Sequence, residues 1–194
     1  TFGPKITQTT VVLKEASLSP FSGKGSLKEL TVGNPTGWKS EHAFYLKEIS
    51  IDLVPKSLTA DHIVINSIVI DNPEIIYETT GALTTSNIQD LIKNVQGNGS
   101  AQPAQASQPA AAQPAKPVKI EIKDFKLTNV TVKVVYGTNN YTVKIPDLIM
   151  SDLGTKEGGL TPNELTVAVL KQVGAQVAQS ALKSAASSSL KDKA

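Results

Sequence analysis

The chain contains no cysteine and no arginine, and aromatic residues make up only 5% of its 194 residues. Without cysteine there is neither a disulfide framework nor thiolate chemistry, and the redox compartment stays open. Without arginine, all 19 basic residues are lysines and the formal charge is only +2. Nucleic acid is therefore not an expected partner, since arginine is the preferred residue for bidentate base and phosphate contacts. Two histidines, His42 and His62, are too few for a histidine metal cluster, and neither stands in a ligand spacing. Asp61 and His62 are neighbours beside a strand and read as a surface pair. No stretch approaches the ~18 consecutive apolar residues of a membrane span. The first residues, TFGPKIT, have neither a charged leader nor an apolar run, so removal of an upstream segment is expected.

Catalytic patterns are missing too. There is no G-x-S-x-G, P-loop or dinucleotide fingerprint, and Gly23-Lys24-Gly25 reads as a turn. Glu15, Glu29, Glu48, Asp52, Glu74, Glu78 and Glu121 occupy polar strand positions and read as solvated charge. No acid/base pair or activated nucleophile emerges, so no catalytic residue, metal ligand or cofactor is assigned and an enzyme is not expected.

What the sequence does contain is a repeat. The pattern apolar-x-x-apolar-x-apolar occurs at Leu27, Leu46 and Ile65, nineteen residues apart, as LKELTV, LKEISI and INSIVI, and again as IKDFKL from Ile122 and IPDLIM from Ile145. In plain strand alternation Ile63 and Ile65 would face one way and Ile68 and Ile70 the other. A bulge at the polar pair between them resets the parity and returns all four to one face. The pairs are Lys28-Glu29, Lys47-Glu48, Asn66-Ser67, Lys123-Asp124 and Pro146-Asp147. Repeated bulges bend a sheet, so the fold class expected is β-rich α+β: a curved, bulged antiparallel sheet with one aliphatic face, a short mid-chain helix and a longer C-terminal helix.

Residues 1–95 supply the first strands and the short helix, whose capping box is Ser86 with Gln89 and whose apolar stripe is Ile88, Leu91, Ile92 and Val95. Residues 96–117 are Gly, Ala, Gln, Ser and Pro with one asparagine and one lysine, a composition that cannot bury a core and reads as a disordered linker. Residues 118–184 complete the same domain, with a hairpin at Gly137-Thr138-Asn139-Asn140 and a helix opened by Thr161-Pro162-Asn163-Glu164. That helix is expected to run to about Leu182, ahead of a polar tail over 185–194. Its ridges are Leu165, Val169, Val173, Val177 and Val167, Leu170, Gly174, Ala178, Ala181. A helix so apolar all round is covered on more than one side, and Val64, Val69 and Ile149 on the second sheet face offer part of that cover. Trp38, the single tryptophan, is read as a plug at one end of the core.

In order, FGPKIT, SGKGSLKELTVGNPTGW, SIVIDNPEIIYE, a short helix, a Pro/Ala linker, KDFKLTNVTV and a capped C-terminal helix resemble small bacterial proteins of the AsmA-like family. The resemblance covers residues 2–182. It implies an envelope location, with the β-rich part in the periplasm behind an N-terminal membrane helix absent from this chain, and no shared catalytic residues. Larger relatives resemble bridge-like lipid-transfer proteins, whose bent sheets carry acyl chains. The partner implied is a lipid or membrane surface, and the candidate lipid-binding face is Leu46, Ile49, Ile51, Ile63, Ile65, Ile68 and Ile70, with the C-terminal helix as lid. The competing reading is a structural or interaction module whose apolar face is plain core and whose partner is another envelope protein. Oligomeric state is not assigned by sequence.

Overall fold

The computed structural model describes residues 7–80, 85–98 and 118–191. Nine strands form one sheet: β1 (Val11–Leu18), β2 (Lys24–Val32), β3 (Phe44–Leu53), β4 (His62–Asp71), β5 (Glu74–Thr79), β6 (Lys119–Thr128), β7 (Thr131–Tyr136), β8 (Asn139–Lys144) and β9 (Leu148–Leu153). Two helices accompany them, α1 (Asn87–Asn98) and α2 (Pro162–Lys191), with a single 3-10 turn at Pro55–Thr59. The expected linker lies outside the described residues, apart from 96–98, which belong to α1.

β1, β2 and β3 form an antiparallel meander. β3 then pairs with β4 through Ile49–Leu53 and with β5 at Phe44 and Tyr45, so β4 and β5 behave as one long strand bent at Asn72-Pro73. β6 and β7 continue the sheet in the same way, as do β9 and β8, which pair antiparallel to them. The sheet curls into a half-barrel, and it is mixed. β4 with β6 and β5 with β7 are parallel, because the chain leaves β5, passes through α1 and re-enters the sheet with Lys119 beside His62.

The bends have a common geometry. All three polar pairs Lys47-Glu48, Asn66-Ser67 and Lys123-Asp124 interrupt their ladders: Glu48, Ser67 and Asp124 are paired, whereas Lys47, Asn66 and Lys123 are skipped. Only one is a bulge of two residues against one, where Asp52 pairs with Ser67 but Leu53 pairs with Ile65, leaving Asn66 extra. Elsewhere neighbouring strands carry the skipped residue at the same level, so register is kept and the interruption runs across the sheet as a crease. One crease passes through Lys14, Glu29, Lys47, Asn72, Asn129 and Pro146. The second, six residues away along each strand, passes through Asn66, Lys123 and Asp152. Glu29, Asn72, Asn129 and Asp152 have φ of 51°, 51°, 53° and 57°, left-handed values that asparagine and aspartate accept more readily than most residues. At each crease the apolar spacing lengthens from two to three, which keeps Ile65, Ile68, Ile70, Ile75 and Tyr77 on one face, alongside Ile122, Phe125, Leu127, Val130, Val132 and Val134.

Two closures hold the ends. Gly23, at φ 74°, ends the β1–β2 turn against the Leu53 carbonyl, where any Cβ would overlap that oxygen. Gly137, at φ 61°, opens the two-residue turn between β7 and β8.

α1 and α2 pack on the concave face. Ser86 Oγ accepts from Gln89 N at 3.2 Å, capping α1. Thr161 and Glu164 form the reciprocal box of α2, with Thr161 N donating to Glu164 Oε2 at 2.8 Å and Glu164 N to Thr161 Oγ1 at 3.3 Å. α2 runs on to Lys191 rather than stopping near Leu182, because nothing after Leu182 is glycine or proline and Ala, Leu and Lys favour helix. Gly174 lets the helices approach, with Ile88 and Ile92 over its backbone. The second cover of α2 is thus α1, and not the convex face of the sheet, where Ile149 is 61% exposed.

Candidate functional site

The curl gathers the repeat residues into a concave apolar strip. Of the seven predicted residues, Ile49 and Ile70 are buried. Leu46, Ile51, Ile65 and Ile68 are half-buried against the same core. Ile63 is half-buried beside Ile120 at the start of β4 and does not join that cluster.

α2 crosses the strip above Leu46, Phe44, Ile70, Ile75, Phe125 and Leu127, bringing Val169, Leu170 and Val173 over them, and a cavity of about 140 Å³ remains between helix and sheet. The IKDFKL repeat carries Phe125 and Leu127, and the predicted helical ridges carry the three roof residues, so the signal for this second half of the site lay in the sequence although the lining was not assigned there.

Beyond the helix no described residue roofs the strip. The ladder sets Leu13 opposite Leu30 and Ala16 opposite Leu27, and opposite residues share a face, so Leu13 and Leu18 lie on the concave side. They are 40% and 48% exposed, and Leu27, Leu30, Ile51, Ile65 and Ile68 between them and α2 are only half-buried. Polar ties from α2 to the sheet include Gln176 Nε2 donating to the Pro146 carbonyl at 3.0 Å and the Ala181 carbonyl accepting from Tyr141 OH at 3.4 Å. The Lys119 ammonium is 3.9 Å from Glu164 in a solvent-exposed pair that contributes little.

The polar residues do structural work. Asn87 is fully buried; its Nδ2 donates to the Ile76 carbonyl and to Asn34 Oδ1, both at 2.7 Å, and its Oδ1 accepts from Glu78 N at 3.0 Å and Ile88 N at 2.9 Å. Glu78 is buried, not solvated as its strand position suggested. Its carboxylate accepts from Lys39 N at 3.0 Å and Ser40 N at 2.7 Å. Burial pushes the Glu78 pKa up, but the hydrogen bonds from Ser40 and Lys39 together outweigh it and hold the carboxyl below its usual range. Trp38, half-buried, donates from Nε1 to Asp90 at 3.0 Å, fastening the Gly33–Lys39 loop to α1. At the crease Asp71 accepts from Asn129 Nδ2 at 2.7 Å and Thr128 Oγ1 at 2.8 Å, and these bonds lower its pKa.

His62 Nε2 lies 3.3 Å from Glu121 and His42 Nε2 lies 3.5 Å from Glu74, which makes each histidine half of a simple ion-pair geometry rather than part of a cluster. Among the described residues no three His, Asp or Glu side chains converge as metal ligands, and no helix is long and apolar enough to cross a membrane.

A model described as the AsmA family matches residues 14–189. No curated protein and no solved structure matches the chain.

Proposed function

Because the chain belongs to the AsmA family, a membership consistent with a role in the bacterial envelope, we propose that it is a periplasmic, non-enzymatic protein that binds lipid acyl chains along its concave strip, with α2 as a movable roof. The observation that carries this is the mismatch between strip and roof: the apolar row runs from Leu13 and Leu18 at the edge to Leu127 under α2, and the helices cover only its second half. Size decides how a chain would lie. Ligand pockets usually hold about 300–1,000 Å³, and the cavity beneath α2 is about 140 Å³. An acyl chain therefore lies along the open strip and enters under α2 only as the helix shifts. Each buried methylene stabilises by about 0.8 kcal/mol, the same for lipid and for helix side chains, so a lipid competes with Val169, Leu170 and Val173 on equal terms.

A second reading, an interaction module with a sealed core, is favoured by the near-complete burial of Ile49, Ile70, Phe125 and Leu127. Ile65→Glu separates the two. In the lipid reading the variant stays folded and loses co-purifying lipid; in the sealed-core reading it loses several kcal/mol of stability, about what an unpaired buried charge costs after partial relaxation. Native mass spectrometry of protein extracted from envelope membranes, with a melt on the same sample, gives both readouts. Wild-type protein free of lipid, together with a collapsed variant, rejects the lipid reading.

A further inference from the structure

Among the described residues the sheet has two edges without a strand partner, β1 on one side and β8–β9 on the other. The creases make these edges fit each other. On β1 the concave-side residues are Val11, Leu13, Ala16 and Leu18, with Lys14 skipped at the crease. On β8–β9 they are Val143, Ile145, Leu148 and Met150, and Pro146 sits at the crease. In both strands one apolar residue stands immediately before the crease residue and the next stands two after it. Antiparallel neighbours inside the sheet have the reverse order, as β2 does with Leu27, Glu29 and Leu30 against β1. Strands with the same order keep both crease and face in step only when they run parallel, as β4 and β6 do.

That leaves one register, with Lys14 beside Pro146, Val11 beside Val143, Leu13 beside Ile145, Ala16 beside Leu148 and Leu18 beside Met150. The successive pairings also leave β1 and β8–β9 running in the same direction. A second copy displaced along the row of strands, without being turned over, therefore presents its β1 parallel to the β8–β9 edge of the first. We propose that copies of this chain join head to tail in this way, β1 of one copy adding to β8–β9 of the next, so that the concave apolar face continues from copy to copy.

Two features of the edges support a second copy as the occupant. Pro146 has no N–H to offer and its carbonyl already accepts from Gln176, but it stands where every internal ladder also skips a pair, so the proline leaves the edge able to pair on either side of it. On the convex side the register sets Glu15 opposite Asp147, a like-charge contact that works against pairing, with Lys14 one residue away on the same strand. On the concave side it brings Met150 and Leu148 beside Leu18 and Ala16, covering Leu18, which is 48% exposed in one copy. Association of this kind is heterologous and grows into rows rather than closing as a dimer.

The absence of native cysteine makes the register testable. Ser17 and Ile149, both exposed and on the convex side, fall opposite each other, and neighbouring strands about 4.8 Å apart lie within disulfide reach. Chain carrying Ser17→Cys and Ile149→Cys, oxidised at high protein concentration, should give a ladder of dimers, trimers and longer species. Ser17→Cys with Ser151→Cys, two residues out of register and beyond the ~7 Å limit for a bridge, should stay monomeric. A melt unchanged from the parent in both variants shows that they are folded. Monomers from both pairs, or equal ladders from both, overturn the proposal. No lipid takes part in the readout, so it succeeds or fails independently of lipid binding.

Discussion

Replacing Asn87 with alanine removes the polar joint between the strands and α1, and its cost can be worked from the four hydrogen bonds it makes. Two of the partners have alternatives: Asn34 is only half-buried, so water can reach its Oδ1, and Ile88 N belongs to the first turn of α1. The other two do not, since the Ile76 carbonyl and Glu78 N face Asn87 in a buried site. A buried polar group left without a partner costs about 1–3 kcal/mol, so the pair costs about 2–6 kcal/mol, and a loss of about 4 kcal/mol is expected. In a chain of this size each kcal/mol lowers the melting midpoint by about 2–4 °C, so Asn87→Ala should melt roughly 8–16 °C lower. Asn87→Asp keeps the acceptor but sets a carboxylate against the Ile76 carbonyl; it should be at least as destabilised at neutral pH and recover part of the loss in acid, where the protonated group donates again. Urea unfolding followed by circular dichroism gives the free energy, and the m-value checks that the transition remains two-state. A loss under about 1 kcal/mol for Asn87→Ala would show that water replaces the side chain and that the joint does not hold the helix.

Asn129→Gly should be nearly neutral in backbone terms and Asn129→Val costly by about 1–2 kcal/mol or more, because a left-handed φ of 53° suits glycine and opposes a β-branched residue; equal melts for the two would remove the strain argument for the crease. The folded Glu78 carboxyl has a lowered pKa, so its stabilisation is present above the unfolded glutamate value near 4.5 and is lost as pH falls through the folded value; Glu78→Gln should flatten the stability profile in that acid window, and an unchanged profile counts against the hydrogen bonds from Lys39 and Ser40. Deleting about half of residues 99–117 should move the melting midpoint little, since halving a loop changes closure entropy by only about 0.6 kcal/mol; a large drop would mean that the segment packs.

Much of this architecture is legible in the sequence because β2, β3, β4, β6 and the β8–β9 junction repeat one spacing rule. The polar pair in Ile65-Asn66-Ser67-Ile68 announces a parity reset, and the reset is what the ladders show at Asn66, Lys47 and Lys123. Pairing partners were not legible for the same reason: when INSIVI and IKDFKL carry the same rule, nothing local states that they lie side by side and parallel. Nor does one strand reveal that its neighbour is skipped at the same level, which is the difference between separate bulges and a crease. Glu78 and Asn87 were missed because their environment is made by distant segments. Glu78 sits at a polar strand position and becomes buried only when the Lys39-Ser40 backbone folds over it. Asn87 looks like one more polar residue beside the Ser86 cap. The candidate lipid face was legible as a list of isoleucines and leucines, but its division into a roofed part and an open part depends on where α2 stops covering it.

Photo-crosslinking addresses the central claim, that lipid occupies the concave strip, by asking where an acyl chain rests. A phospholipid carrying a photoreactive group in its tail is incorporated into envelope membranes containing the protein, irradiated, and the labelled peptides are mapped by mass spectrometry. Labels should fall on Leu27 to Leu30, Leu46 to Ile51 and Ile65 to Ile68, and on the face of α2 that carries Val169 and Val173. They should avoid Ile149, which is as apolar and more exposed but lies on the convex side. Labelling concentrated on Ile149 and its convex neighbours, or spread evenly over both faces, would contradict the account.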